Sequence, residues 1–177
     1  RAVRRLEELI HENQDLLDTG FLSVAYLLPV LKENGLRELA NTLLFRDACP
    51  SWLYEVKMGA TTMWEYWNGY APAGTPCDCS MNHFAFGCVG EYLFHDILGI
   101  QSKDPGRGTL EIAPDIDCGL AWAKGSYETI WGNCRIEWKR EEGHTILCLE
   151  LPPNVTAKVR TGGQDKVLNC GTHRMEL

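Results

Sequence analysis

The 177-residue sequence has no long hydrophobic run and no recognisable export signal. No stretch reaches the ~18 to 20 consecutive apolar residues that a membrane span needs. The opening segment, RAVRRLEELIHENQDLLDTG, has the pattern of an amphipathic helix and not of a signal peptide. We therefore expect no membrane partner. A cytoplasmic location is favoured, and any targeting segment would lie upstream of Arg1.

Positive charge is also scarce, and it is not clustered. The chain has 17 Lys and Arg residues against 24 Asp and Glu residues, which gives a net charge of -7. Nucleic acids and anionic membranes bind surfaces on which positive charge is concentrated. These two classes of partner are therefore not expected, and a neutral or cationic ligand is easier to accommodate.

Closely paired metal-binding cysteines are missing as well. The eight cysteines are scattered through a chain that is 45% hydrophobic, so we expect a real core and reduced, mostly buried thiols. Cys77, Cys79, His83 and Cys88 could each bind zinc, but they contain no C-x2-C pair. Cys88 is better explained by packing. We predict no metal site and no cofactor.

The first hundred residues show helical periodicity. Apolar residues at spacings of three and four predict a helix from Val3 to Leu17, ended by Asp18-Thr19-Gly20. A second helix is expected to open at 27–31, because Pro29 is tolerated in a first turn, and to stop at Asn34-Gly35. A third helix over 36–44 would complete a hairpin.

A fourth helix is predicted from Ser80 or Asn82, as its cap, to about Leu98. It is apolar on nearly every face, so it should be buried. Four such helices cannot cover one another within a hundred residues. We therefore infer that the helical part is a piece of a larger helical assembly, or that it docks on another chain.

After Asp104 the hydrophobic period changes to two. Apolar and polar residues alternate over 134–139, 147–151 and 155–159, with turns at 141–143, 152–154 and 161–163. This pattern is typical of an antiparallel sandwich. We predict helices in domain 1–103 and strands in domain 104–177, with the tryptophans of the second domain mostly in its core: Trp122, Trp131 and Trp138.

The stretch ATTMWEYWNGY, residues 60–70, places Glu65 among aromatic rings. Thr62-x-x-Glu65 fits a capping box, and the tryptophans beside it could simply be core. Alternatively, aromatic faces match the C–H face of a sugar ring, and a carboxylate can accept protons from hydroxyls or water. Glu65 could then be a general base, a nucleophile or a hydroxyl anchor. One acid does not decide, because glycoside hydrolysis usually needs two.

His83, in SMNHFAFG, is the second candidate. A histidine can both donate to and accept from a sugar hydroxyl. It could equally be a buried histidine whose hydrogen bonds are satisfied by the protein.

Two segments together resemble a known family. PSWLYEVKMGATTMWEYWNG (50–69) and SMNHFAFGCVGEYLFHDILGI (80–100) are similar to the end of the catalytic domain of bacterial α-L-rhamnosidases, glycoside hydrolase family 78. The agreement extends upstream through DTGFLSVAYLLPVLKENGLRELANTLL (18–44) and downstream through residues 110–141 and 151–159. It covers most of the chain.

The resemblance implies the closing helices of an (α/α)6 barrel followed by the family's C-terminal β-sandwich. It also implies an inverting release of terminal L-rhamnose from a glycoside or polysaccharide. By motif matching Glu65 would be the general base, His83 would contact the sugar, and Trp64 and Trp67 would line the pocket. The remainder of the catalytic domain would be a necessary partner.

The sequence departs from the family pattern in two places. The family's general acid lies far upstream, and nothing in residues 1–177 matches its motif, so this chain alone is expected to be inactive. The segment APAGTPCDCSM (71–81) is short and carries Met81 where an aromatic residue is common. Two other hypotheses remain open: a non-catalytic carbohydrate-binding or assembly module, and another inverting (α/α)6 glycosidase.

Overall fold

The computed structural model describes residues 1–70, 75–161 and 164–177. The chain divides into two compact units, Arg1–Gly90 and Glu91–Leu177. The first is helical and irregular, and the second is built mainly of strands, so the expected order of helices before strands is confirmed. The domain division predicted at residues 103 and 104 stays a prediction. No helix in the described ranges is long and apolar enough to cross a bilayer.

Among the described residues, four α-helices lie wholly within the first unit: α1 Ala2–Glu12, α2 Val24–Glu33, α3 Arg37–Phe45 and α4 Trp52–Lys57. Helix α1 is shorter than predicted. Gln14 and Asp15 take left-handed φ values of 60° and 56°, which end the helix well before Leu17. Leu17 is still buried. The apolar spacing therefore predicts correctly that Leu17 is buried, but it does not predict where the helix ends.

Helices α2 and α3 form the predicted hairpin, but the predicted start of α2 is wrong. The helix begins at Val24, so Pro29 lies in its interior and not in its first turn. A proline there leaves the carbonyl of Ala25 without its usual helical donor, which the pattern rule treats as disruptive. Burial of Val24, Leu27, Leu28 and Leu31 against the unit's core outweighs that local cost. The predicted stop at Asn34-Gly35 is confirmed, with Gly35 at φ 82°.

The fourth predicted helix is also wrong in form. Neither Ser80 nor Asn82 caps a helix; the chain makes a 3-10 turn at Ala85–Cys88, a short helix α5 at Val89–Tyr92 and a π-helical turn at Leu93–Ile97. The segment is not buried on every face, because Phe84, Leu93 and Phe94 are exposed. Apolar composition alone does not separate an α-helix from these tighter and wider turns.

The strands form two four-stranded sheets. The first sheet has the order β1-β2-β6-β7, and the second has the order β3-β4-β5-β8. Their bounds are β1 Ile100–Asp104, β2 Thr109–Ile112, β3 Trp122–Thr129, β4 Gly132–Glu141, β5 His144–Leu151, β6 Thr156–Thr161, β7 Gln164–Leu168 and β8 Gly171–Glu176. All pairs are antiparallel except β2 with β6, which is parallel.

The period-two pattern placed the inward faces of β4, β5 and β6 correctly. Ile136 pairs with Leu149, and Trp138 pairs with Leu147, so one buried face runs across both strands. Glu142 and Gly143 make the first predicted turn with φ values of 48° and 90°. Residues 162 and 163 of the predicted turn at 161–163 lie outside the described residues.

The prediction for the tryptophans of this unit is correct only for Trp138. Trp138 is 0% exposed and donates its indole N–H to the carbonyl oxygen of Ile97 at 2.9 Å. Trp122 is 52% exposed and Trp131 is 40% exposed. Trp122 lies on β3, an edge strand of its sheet, where a ring has a neighbouring strand on one side only.

The expectation that all cysteines are reduced is wrong for one pair. Cys77 and Cys79 form a disulfide across a single intervening residue. Cys118 and Cys134 are free and buried, as expected, and Cys170 is free and exposed.

Trp138→Phe should destabilise the strand unit, because it leaves the carbonyl of Ile97 unpaired in the core and opens a small void. We expect a loss of about 1–3 kcal/mol in the free energy of unfolding. Urea unfolding measures this loss, with hydrogen exchange of the β4 and β5 amides as the probe of the strand unit. Trp122→Phe makes the same change on an exposed side chain, and equal losses in the two variants would contradict this account.

Candidate active site

The aromatic segment 60–70 contains no helix. No helix begins at Thr62, whose hydroxyl donates to the carbonyl oxygen of Met81, so the capping-box interpretation of Glu65 is wrong. The chain instead follows an irregular path, with an isolated bridge from Tyr70 to Pro76. Such a segment has few backbone hydrogen bonds of its own, and its conformation must come from neighbouring groups.

Glu65 is held by a reciprocal pair of hydrogen bonds with Ser80. Its backbone N–H donates to the Ser80 carbonyl oxygen at 2.9 Å, and its Oε2 accepts the Ser80 N–H at 2.8 Å. The side chain is half-buried. Backbone and carboxylate of Glu65 are therefore both anchored to the chain that leads to His83.

Glu65 lies in the wall of an open cleft of about 510 Å³. The cleft is formed by the segment after α1, the residues before α4, the aromatic segment and one ring of the 3-10 turn: Leu17, Asp18, Thr19, Gly20, Phe21, Cys49, Pro50, Glu65, Tyr66, Trp67, Asn68 and Phe86. The wall is largely apolar, and its two acidic residues are Asp18 and Glu65. A volume of this size accommodates a small ligand.

Trp67 contacts several of the segments around the cleft. Its ring stacks on Phe86 with the ring centres 3.7 Å apart, and it meets Trp52 edge-on at 5.2 Å. Its indole N–H donates to the Thr19 carbonyl oxygen at 3.0 Å. The predicted pocket residue Trp67 does lie in the cleft wall, and these contacts fix its orientation.

Helix α4 lies against the aromatic segment and contacts it at three points. Trp52 packs on Trp67, the Tyr54 hydroxyl donates to the Tyr70 carbonyl oxygen at 2.9 Å, and a Glu55 carboxyl oxygen accepts the Trp64 N–H at 3.2 Å. The helix starts at Ser51, whose hydroxyl caps it by accepting the Tyr54 N–H at 3.0 Å. A short helix with a firm cap thus supports both sides of Glu65.

Glu55 was not a sequence candidate, yet it is 1% exposed. Oε2 accepts the Trp64 N–H, while the buried Oε1 has no hydrogen-bond partner among the described residues. Burial raises the pKa of the Glu55 carboxyl to about 7, and the hydrogen bond from Trp64 opposes that rise. Cys49 is a titratable neighbour, and burial together with the Glu55 charge raises the pKa of its thiol.

Trp64 and His83 do not line the cleft itself. Trp64 is 2% exposed and packs beside Gly69 and Tyr70. His83 is half-buried; its ring lies 5.7 Å from that of Phe21, which does line the cleft. The His83 Nδ1 accepts the Ala85 N–H at 3.3 Å, so in the neutral ring Nε2 carries the proton and can donate.

Three residues of this region escaped the sequence analysis: Asp18, Phe21 and Glu55. Asp18 was interpreted as part of a helix end, and no local pattern connects it with Glu65, 47 positions later. Phe21 lines the cleft and is half exposed. For Glu55, the i, i+3 spacing from Trp52 is the one local signal, since it puts the acid on the same helix face as a buried tryptophan.

The arrangement can support acid–base chemistry on a small polar ligand. A carboxylate fixed through one oxygen can take a proton from a water or hydroxyl held in the cleft, and an indole beside it can pack on an apolar ring face. Within the described residues, no three His, Cys, Asp or Glu side chains are grouped so that they could hold a metal ion.

Comparison with known proteins agrees with the resemblance in both halves of the chain. Residues 1–97 match the model of the bacterial α-L-rhamnosidase 6 hairpin glycosidase domain, and residues 99–176 match that of the bacterial α-L-rhamnosidase C-terminal domain. An α-L-rhamnosidase of Streptomyces avermitilis is 37% identical over 161 residues, which cover 89% of this chain and 16% of that protein. One from Formosa agariphila is also 37% identical, with 89% of this chain and 17% of the relative covered.

Solved structures give the same result. The crystal structure of the Streptomyces avermitilis α-L-rhamnosidase complexed with L-rhamnose superposes on 99% of this chain and 19% of its own, with a TM-score of 0.90 and 31% identity. The α-L-rhamnosidase of Aspergillus terreus gives a TM-score of 0.91 at 31% identity, over 99% of this chain and 21% of its own. The chain thus spans less than a quarter of these relatives' length.

Gly69→Ala should disturb the segment that carries Glu65. A Cβ at Gly69 would lie 2.7 Å from Cε3 of the buried Trp64 ring, so the ring or the backbone has to move. Overpacking of this kind costs about 1–3 kcal/mol. Thermal unfolding measures the loss. Gly90→Ala is the control, since nothing lies within 4 Å of its Cβ position, and equal stability of the two variants would contradict the packing described.

Glu55 should make the stability of the helical unit depend on pH. The folded state keeps the proton up to about pH 7, whereas the unfolded chain releases it near the ordinary value of 4.5. The contribution of this group to the unfolding free energy is therefore complete below pH 4.5 and falls as the pH rises to 7. At about 1.4 kcal/mol per pKa unit, the total fall is on the order of 3 kcal/mol.

The measurement is urea unfolding, followed by helical circular dichroism, of the wild type and Glu55→Gln across this pH range. The wild type should lose stability relative to the variant as the pH rises. Glu33→Gln makes the same chemical change on an exposed side chain and serves as the control. Parallel stability curves for the wild type and Glu55→Gln would show that the buried carboxyl does not keep its proton.

Proposed function

This chain belongs to the bacterial α-L-rhamnosidase family, and on that premise we propose that the whole protein releases terminal α-L-rhamnose from glycosides or polysaccharides by inverting hydrolysis. In this proposal Glu65 is the general base. The chain carries one side of the active site, and the remainder of the catalytic domain supplies the general acid.

The observation that carries this proposal is the setting of Glu65. Its carboxylate stands in the wall of the cleft, with one oxygen tied to the Ser80 N–H and Trp67 beside it. Inversion needs a base that activates a water on one face of the sugar while an acid acts from the other. A carboxylate on one wall of the cleft, fixed through one oxygen, fits the first of these tasks.

The other proposed site residues act around this carboxylate. Trp67 packs against the apolar face of the sugar, and His83 donates a hydrogen bond from Nε2 at the side of the cleft where Phe21 lies. Trp64 is buried and does not line the cleft. We therefore propose that it acts indirectly, by holding the backbone next to Glu65 in place.

The remainder of the catalytic domain is the proposed partner of the helical unit. Exposed apolar side chains are typical of a surface that is covered by another part of a protein. Several large apolar side chains of this unit are exposed: Phe21, Leu22, Tyr26 and Phe84. In this proposal residues 1–103 close an (α/α)6 barrel and residues 104–177 form the sandwich that follows it.

Glu65→Gln in the intact enzyme should lower kcat by roughly 10²–10⁴, the usual contribution of a general base. Binding of L-rhamnose should persist, because the amide keeps the size of the side chain. Hydrolysis of an aryl α-L-rhamnoside and calorimetry with L-rhamnose measure the two effects. Glu33→Gln is the control for the same substitution away from the cleft.

A second variant separates a base from a structural role. Glu65→Ala should regain turnover when azide is added, because azide attacks the sugar without needing a proton acceptor. The product should be the β-rhamnosyl azide. Normal activity in Glu65→Gln, or a folded Glu65→Ala that azide does not rescue, would refute the assignment.

The 177-residue chain by itself should not hydrolyse an aryl α-L-rhamnoside, since no residue in it matches the family's general acid. Turnover by the purified chain is measured by release of the aryl group, with the intact enzyme as the positive control. Clear turnover by the chain that Glu65→Gln abolishes would show that this chain carries a complete catalytic pair.

A further inference from the structure

Glu55 is the buried polar group that the proposed chemistry leaves unused. A fully buried carboxyl group is rare unless it is paired or performs a task. One oxygen is occupied by the Trp64 N–H, and the other has no partner among the described residues. The contact with Trp64 is therefore the one described task of this side chain.

That contact reaches the neighbour of the proposed base. The Trp64 N–H belongs to the residue directly before Glu65, so the Glu55 carboxyl acts on the backbone from which the Glu65 side chain projects. On the same face of α4, Trp52 packs edge-on against Trp67, two positions after Glu65. One helix thus holds the chain on both sides of Glu65.

The segment needs this support because it has no regular structure. Near Glu65 the segment is also held by the chain at 80–83: the Ser80 N–H binds the Glu65 carboxylate, the Ser80 carbonyl accepts the Glu65 N–H, and the Met63 carbonyl accepts the His83 N–H. Ser80 itself follows a loop and is exposed. Among these hydrogen bonds, the one from Glu55 comes from a fully buried side chain of a helix.

We propose that Glu55 is a positioning residue of the active site: by accepting the Trp64 N–H, its carboxyl fixes the backbone that directs Glu65 into the cleft. The proposal rests on the function proposed for Glu65. It differs from a purely structural role for Glu55, because it links one hydrogen bond to the placement of the base.

Three variants separate these roles. Glu55→Gln keeps a carbonyl oxygen for the Trp64 N–H, whereas Glu55→Leu keeps a similar volume and removes the acceptor. Ile10→Ala removes buried side-chain volume from α1 of the same unit, at a residue that does not line the cleft, so it controls for a general weakening of the helical unit. Should Glu55→Leu fail to fold, Glu55→Met makes the same test with a more adaptable side chain.

The first readout needs no catalysis. In the 177-residue chain the Ser80 amide reports the position of Glu65, because it donates to the Glu65 carboxylate. Measured against amides of α3, its hydrogen exchange should be about tenfold faster in Glu55→Leu, the effect of losing one neutral hydrogen bond. Glu55→Gln and Ile10→Ala should stay close to the wild type.

The second readout is the kinetics of the intact enzyme on an aryl α-L-rhamnoside. Glu55→Leu should lower kcat by about tenfold or more with little change in KM, as expected when a reacting group is misplaced and the sugar still binds. Glu55→Gln should restore kcat to near the wild-type value. Ile10→Ala should leave kcat per folded molecule unchanged.

The two readouts fail separately. Unchanged Ser80 exchange in a folded Glu55→Leu chain overturns the positioning proposal, whatever the enzyme does. Unchanged kcat in Glu55→Leu together with altered Ser80 exchange also overturns it, because the displaced carboxylate would then not matter to the reaction. If the wild-type enzyme releases no rhamnose while Ser80 exchange responds as expected, the proposed function is refuted. The link between the Glu55–Trp64 hydrogen bond and the position of Glu65 would still hold.

Discussion

The candidate site depends on one constraint: the segment that carries Glu65 has no helix or strand to hold it. Residues 61–69 make few backbone hydrogen bonds to one another, so their conformation is set by side chains and backbone groups from elsewhere. Ser80 binds Glu65 on one side, and α4 contacts the chain before and after it. The placement of the Glu65 side chain therefore depends on these outside contacts.

Helix α4 has six residues, and a helix of that length is not stable alone. It persists because Ser51 caps its start and because Trp52 is buried, with its indole N–H bound to the Phe86 carbonyl oxygen at 2.9 Å. Trp67 then stacks on Phe86 and reaches back to Thr19. Packing of these rings therefore stabilises α4. Two of the rings, Trp67 and Phe86, also form part of the cleft wall.

Much of the strand unit could be predicted from the sequence, because alternation reports directly which face of a strand is buried. Ile136, Leu149 and Val159 are all buried as their pattern requires. The helix predictions were less accurate where tertiary packing overrides a local sequence rule, as it does for Pro29 in the interior of α2. Trp122 was misplaced because edge position depends on strand order, and a strand's own sequence does not contain that order.

The site was predictable only in part. Aromatic rings around an acid, and the family resemblance of the motifs, predict Glu65 and Trp67 as site residues, and both line the cleft. Glu55 gave no comparable signal, since its burial depends on how α4 packs against residues nine positions later. Asp18 joins the cleft through the path of the chain after α1, which periodicity does not describe.

The most direct test of the account is a titration of the isotope-labelled 177-residue chain with L-rhamnose, followed by the amide and indole signals in NMR spectra. We predict weak, saturable shifts at the Trp67 indole N–H and at the backbone of Thr19, Phe21 and Glu65, which line the cleft. L-Fucose, a different 6-deoxy sugar, is the control and should shift these signals less. A folded chain whose cleft signals do not respond, or respond equally to both sugars, would contradict the assignment of this cleft as the rhamnose site.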